Sequence, residues 1–410
     1  MLAGFALESI CPDRPMELAG YDLRKDPSSG VLDEINANAL ALVSDEGEKF
    51  LLLSFDLLGV PRPFCAEMKR LIGEKASMPQ NNVWIAATHT HAAPRAVINR
   101  KSGDEAYIEL LKAASLRAAE RAFAAVEPVT SEIGYLRLDG IASLRDVSRE
   151  RSRYSMPLVR MLLTGAGGQT EIIRFACHPT VLDEKNTLLS RDLAGARGNA
   201  RRIMLNGACG DLSTRYTRQG KGVTELERLK AALNAGIGET QCAPLPLFAR
   251  TIRALSADIA LKQAEPLTEE YKRALIAHHE RRLAELSDEE AKRELISIIA
   301  VLKRPPRQTE PMREVTVCAA DMGALVFLGL PFEINSADGE KIERELADRA
   351  GKPVILLCYT GGYDGYLPSG RPIDENSCYQ DMAASLSPEA RSQVMEQAKT
   401  LIEKLTEEGK

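Results

Sequence analysis

The sequence predicts an α/β fold: a mixed β-sheet core flanked by helices, with a charged helical arm. Three observations lead to it. Short apolar runs alternate with stretches of helical periodicity along most of the chain. Hydrophobic residues make up 44% of the 410 residues and charged ones 27%, a balance that permits a sizeable core. Between about 262 and 313 the composition turns strongly charged while keeping a helical pattern.

Strands are expected where apolar residues run continuously. These are the run ending at Asp56, Val83–Ala87, Leu158–Leu163, Glu171–Ala176, Ile203–Leu205, Ala324–Leu330 and Val354–Leu357. Pro157 opens the third, where a missing N–H is tolerated. Helical periodicity covers about 61–76, 103–126, 192–203, 223–235, 244–262, 267–303 and 337–350, and a last stretch from Ser387 to Lys404. The segment 262–313 reads as a helical hairpin or arm stopped by Pro305-Pro306, with His278 and His279 solvated among Glu and Arg. No repeat, heptad run or low-complexity tract breaks the chain, so 1–410 is expected to be a single domain that includes the arm.

Composition also excludes some functions. A net charge of −5 leaves no nucleic-acid footprint. The apolar start Met1–Leu7 is interrupted by Glu8 and lacks a basic region, and no run of about 18 apolar residues occurs. Neither a signal peptide nor a transmembrane segment is expected, which points to the cytoplasm. Eight cysteines without a CxxC pair read as buried free thiols in a reducing compartment, with Cys177 and Cys209 beside candidate site blocks.

Only five histidines occur, and three stand at the ends of expected strands: His89 and His91 in Thr88-His89-Thr90-His91, and His178 in Cys177-His178-Pro179. On an extended segment, side chains two apart project from the same face, so His89 and His91 can address one pocket. Neutral imidazole is the commonest protein ligand for a divalent ion of zinc's softness. Asp56 and Asp192 stand nearby as supports for the site or, in the case of Asp192, as a helix N-cap.

The chain resembles the neutral/alkaline non-lysosomal ceramidases. Blocks in family order carry the resemblance: Ala3-Gly4-Phe5-Ala6 through Leu18-Ala19-Gly20-Tyr21, Leu52–Gly59, Thr88–His91, Phe175–Thr180, Leu189–Gly195, Asn206–Ser213, Leu330-Pro331-Phe332-Glu333 and Gly362–Pro368. The resemblance implies Zn2+ held by His89, His178, Glu333 and Tyr366, with Tyr366 chosen over Tyr363 as the second tyrosine of its pair. It implies catalytic roles for His91, off the metal, for Ser213, as nucleophile or as a positioner of water, and for Arg145. Glu333 has a second reading as a carboxylate at a helix N-terminus, and Ser213 as a hydroxyl cap. The chain departs from the family at Ala92 and Ala93, where serine and glycine are usual, and at Thr214, where proline is usual. The resemblance covers about residues 1–385.

The implied activity is hydrolysis of a carbon–nitrogen amide bond in a small-molecule or lipid-like N-acyl substrate, by water that the zinc activates. Two alternatives stay open: hydrolysis of a small soluble ester or lactone, and a non-catalytic ligand-binding member of the fold.

Overall fold

Along the buried strand Lys49–Phe55, Leu51, Leu53 and Phe55 point to one side and Phe50 and Leu52 to the other. That period of two organises the molecule. The computed structural model describes residues 1–95, 104–146, 148–196, 201–245, 251–305 and 310–407.

The first sheet contains β1 (Leu2–Ser9), β2 (Asn36–Val43) and β3 (Lys49–Phe55). After helix α1 (Arg62–Ala76), β4 (Val83–Ala87) joins its edge, and α2 (Glu105–Ala124) packs on β1 and β2. The second contains β5 (Thr130–Leu138), β6 (Met156–Gly165), β7 (Gly168–Phe175) and β8 (Arg201–Asn206), followed by α3 (Gly222–Glu239). The third begins with β9 (Arg253–Lys262). Helices α4 (Glu269–Glu285) and α5 (Glu289–Leu302) intervene before β10 (Met312–Asp321), β11 (Val326–Gly329), α6 (Ser336–Ala350) and β12 (Val354–Leu357). The short α7 (Tyr379–Ala383) and α8 (Ala390–Glu407) follow.

In each sheet the successive strands pair antiparallel until the last, which pairs parallel: β3 with β4, β7 with β8, β11 with β12. Those three last strands are all sheet edges, and the edges satisfy one another. Ala86 bridges Thr360, the Cys358 N–H donates to the Asn206 carbonyl at 3.0 Å, and Ser54 Oγ donates to the Met204 carbonyl at 2.9 Å. Unpaired edges are thereby covered. Leu42, Leu52, Trp84, Met161, Ile172, Ile203, Phe327 and Ile355 fill one core between the three sheets. The opposite faces meet the helices through Met68, Leu111, Leu229, Leu346 and Leu401. The chain segments that leave the C-terminal ends of β4, β7, β8, β11 and β12 converge, which is where α/β sheets build sites.

Four sequence expectations change. The helical pattern over 244–262 gives way to β9, because Leu255, Ala257 and Ile259 pair along the whole of β10. The pattern over 192–203 yields only a 3₁₀ turn at Asp192–Gly195 before β8, whose parallel pairing to β7 sets the backbone. Residues 246–250, 197–200, Gly103 and Pro306, on which parts of these expectations and of the Pro305-Pro306 stop fall, lie outside the described residues. His279 is not solvated: it is fully buried where α4 packs on α5, one turn after Leu275. Adjacent histidines on a helix do occupy different faces, and here one of those faces is the packed one. Cys11, Cys242 and Cys378 are only half-buried, while the other five thiols are buried as expected. No described helix is long and apolar enough to cross a membrane.

Candidate active site

His89 follows β4 by two residues and sits in the left-handed region, at φ 68°. A non-glycine residue there carries roughly 1 kcal/mol of strain. The turn is held by N–H bonds from Thr88 to the Phe55 carbonyl and from His89 to the Leu57 carbonyl, both 2.9 Å. His89 and His91 thus do reach one pocket, but through a turn, not the extended segment expected. The His89 ring stacks on Tyr359 at 4.1 Å, and its Nδ1 lies 2.7 Å from the Leu58 carbonyl. A carbonyl only accepts, so Nδ1 carries the proton and Nε2 offers a lone pair.

His178 repeats the device from β7. Its Nδ1 donates to the carbonyls of Cys209, at 2.8 Å, and Leu212, at 3.0 Å. The Asn206–Ser213 block therefore orients an imidazole. Its Asp211 caps α6, accepting from Ser336 N at 2.7 Å and Ser336 Oγ at 2.9 Å. The helix-terminal carboxylate role that Glu333 was given as a second reading belongs to Asp211.

Glu333 is buried, and its Oε2 stands 3.0 Å from His178 Nε2 and 3.4 Å from His89 Nε2. Tyr363 Oη donates to its Oε1 at 2.7 Å. His91 Nε2 lies 3.5 Å from His89 Nε2, and the ligand atoms of the three histidines fall within 4.8 Å of one another. Burial would raise the Glu333 carboxyl, yet the imidazoles of His89 and His178 outweigh it and hold the group well below the usual range. Burial, then the charge of Arg145, lowers His178 to about 4, and burial with the neighbouring imidazoles holds His91 well below its ordinary value. Neutral imidazoles and an ionised carboxylate are the forms that bind metal ions.

Two lone pairs, on His178 Nε2 and Glu333 Oε2, therefore face each other at 3.0 Å inside the protein. Either a proton on the imidazole or a metal cation between them makes that favourable. Ligands about 2.0–2.1 Å from a tetrahedral ion stand about 3.3–3.4 Å apart, close to the separations of 3.0, 3.4 and 3.5 Å seen here. The residues present fit a metal ion.

Tyr366 is buried, and its hydroxyl accepts from Arg145 Nη2 at 2.6 Å. Tyr363, not Tyr366, bonds Glu333. Arg145 Nη2 also reaches the Gly210 carbonyl at 2.6 Å, and its guanidinium lies over the rings of Tyr366 and Tyr379, at 5.8 and 5.4 Å from their centres. Ser213 pairs with Ser143 beside His178, and its Oγ accepts from Arg215 N at 3.2 Å. Asp56 accepts from Asn36 N at 2.9 Å and ties β3 to β2. Asp192, at φ 51°, is no N-cap; it accepts from Leu193 N at 2.7 Å, Leu182 N at 2.9 Å and Val181 N at 3.2 Å. It pins the loop that follows His178. Burial raises the Cys177 and Cys209 thiols far above their ordinary values, which works against either serving as a thiolate ligand.

Burial also pushes the Asp192 carboxyl up to about 6, against the three N–H bonds. An aspartate that titrates near 6 folded and near 3.8 unfolded keeps a proton in the folded state that the unfolded chain has lost. Its contribution to stability is present below pH 3.8 and is lost as pH rises through 6. Melts of the wild type and Asp192→Asn between pH 4 and 7 are expected to converge or cross in favour of Asn at the upper end, by on the order of 1–3 kcal/mol. A constant difference across that range refutes it.

The sequence blocks gave no role to Gly20 and Gly59. A Cβ on Gly20, at φ 95°, would sit 2.4 Å from the His91 ring, and one on Gly59 would sit 2.4 Å from the Tyr363 ring. Both glycines let the site rings approach the backbone. Tyr359 and Tyr379 were also missed, since neither residue type nor spacing marks a packing ring.

A protein with three α/β sheets and a histidine–carboxylate centre where their edges meet has the fold of the neutral ceramidases. The crystal structure of neutral ceramidase from Pseudomonas aeruginosa superposes with a TM-score of 0.77 at 17% identity, covering 99% of this chain and 74% of that one. A ceramidase complexed with C2 matches with a TM-score of 0.76 at 16% identity, covering 99% and 75%. No protein-family model and no curated protein sequence matches the chain.

Proposed function

We propose that this chain is a zinc-dependent hydrolase of an amide bond in an N-acyl substrate, with His89, His178, Glu333 and Tyr366 holding the ion. The observation that carries the reading is the pair of Nε2 lone pairs, on His89 and His178, fixed by carbonyl-bonded Nδ1 atoms and aimed at the Glu333 carboxylate. When bound, zinc supplies Lewis acidity at the acyl carbonyl and makes water beside it more acidic.

The chain's own groups then divide the remaining work. Hydrolysis puts a hydroxyl on the acyl carbon and a proton on the departing nitrogen. His91 suits the proton transfer, because its buried Nδ1 has no hydrogen-bond partner among the described residues and no carbonyl fixes its tautomer. Arg145 holds the Tyr366 oxygen and faces the substrate, and Ser213 lines the same recess. A cavity of about 660 Å³ opens onto His89, His91 and Glu333. Its wall carries Asp22, Arg95, Arg304, Arg313 and Asp364, an unwelcoming surface for two long hydrocarbon chains.

The test is a hydrolysis panel of N-acyl amides, esters and lactones on zinc-loaded protein, with His89→Ala as control. Short-chain or soluble amides are expected to turn over better than long-chain ceramide. Preferential cleavage of long-chain ceramide in mixed micelles rejects the soluble-substrate part. No turnover of any compound shifts the weight to a binding protein.

A further inference from the structure

A second recess of about 150 Å³ lies behind the candidate metal centre and shares His91, Tyr366 and Tyr379 with the main cavity. Ser213 forms part of one wall, and helix α5 supplies another through Glu290, Arg293, Glu294 and Ser297. A volume of that size admits a head group of only a few heavy atoms.

Its charges are nearly all matched. Arg215 pairs with Glu294 at 2.6 Å, Arg218 with Glu290 at 3.2 Å, and Arg293 with Glu184 at 3.6 Å. Two charges of the lining have no ion-pair partner among the described residues: Asp183, at the outer wall, which accepts from Lys185 N at 3.0 Å, and Arg145. The Arg145 Nη2 donates to two uncharged oxygens, its Nε is buried with no hydrogen-bond partner among the described residues, and no carboxylate among them pairs with it. A half-buried guanidinium without a counter-ion costs free energy that a ligand oxyanion would return through a charge-assisted bond. Across the recess, Glu294 Oε1 is buried and also has no partner, so one acceptor is open to a donor on the same ligand.

We infer that this recess is a head-group subsite for a carboxylate, so that the preferred substrates of the proposed hydrolase are N-acyl compounds whose amine half is an amino acid. The inference rests on the amidase reading for its position in the reaction. The carboxylate sits on Arg145 and the scissile carbonyl is presented to the centre formed by His89, His178 and Glu333. The acyl part occupies the larger cavity. Glu294, by neutralising Arg215, keeps the recess from binding free anions indiscriminately.

The experiment compares N-hexanoylglycine with N-hexanoylglycinamide, which has the same shape and no charge. Both are assayed for release of hexanoate, and the uncleavable hexanesulfonyl analogues of both are titrated by calorimetry into the protein as purified. The expected result is a tenfold to hundredfold preference for the carboxylate in kcat/KM and in affinity, of the order a charge-assisted bond gives. Arg145→Gln removes the preference and Arg145→Lys restores part of it. Glu294→Gln, which frees Arg215, raises it severalfold and keeps the test decisive if the Arg145 variants fold poorly. Equal turnover and equal binding of charged and neutral compounds overturn the subsite and leave the hydrolase standing. Selective binding of the carboxylate sulfonamide without hydrolysis of either amide does the reverse.

Discussion

Zinc reconstitution of the wild-type protein is expected to yield about one ion per chain, and His89→Ala or His178→Ala to yield little or none. Each histidine commits Nδ1 to a backbone carbonyl and leaves Nε2 facing Glu333, so the pair is set before any ion arrives. Removing one ring takes away a ligand and strands the carboxylate. Loss of a Lewis acid worth several kcal/mol corresponds to on the order of a thousandfold or more in rate. Elemental analysis of purified, reconstituted protein decides the matter. A wild type that holds no metal sinks the whole assignment, whatever the variants do.

Glu333→Ala is expected to abolish hydrolysis, while Ser213→Ala keeps a measurable rate. Glu333 bonds Tyr363 and stands against both imidazoles, and no other carboxylate among the described residues does so. Ser213 is placed differently. Its Oγ accepts from Arg215 N, and among the described residues no imidazole bonds it, so the base that activates a serine nucleophile is not in place. Initial rates at saturating substrate separate the two readings. Equal and complete loss in both variants makes Ser213 the nucleophile. Glu333→Gln, which preserves shape, guards against a folding defect in the alanine variant.

The cluster of His89, His91 and His178 was legible in the sequence because residue type and position coincide: few histidines, these three just past apolar strands. The strands themselves were legible for the same reason, with Val83–Ala87 and Val354–Leu357 buried from end to end. Two things were not. The stretch that becomes β9 carries residues whose helical period is as good as its strand period, and only the long antiparallel partner β10 decides. The support of the site was hidden because backbone carbonyls of Leu58, Cys209 and Leu212 do the orienting, and a carbonyl leaves no mark in a sequence. The passing of the helix-terminal carboxylate role from Glu333 to Asp211 has a similar cause. Both are acidic residues near the start of α6, and only the fold brings the one 125 positions upstream onto the helix end.

The α4–α5 hairpin is tied to the body by ion pairs graded from wet to dry. At its outer margins Arg149–Asp288 and Arg304–Asp22 have side chains one third to two thirds exposed, whereas Arg215–Glu294 in the middle is 13% and 11% exposed. Dissolved salt reaches the first kind and not the second, since mobile ions screen charges over about 8–10 Å of water but cannot enter the packed wall. Ionic strength thus becomes a dial on the ends of the hairpin alone. Raising it slackens the hairpin's outer ties and leaves the central Arg215–Glu294 tie unchanged.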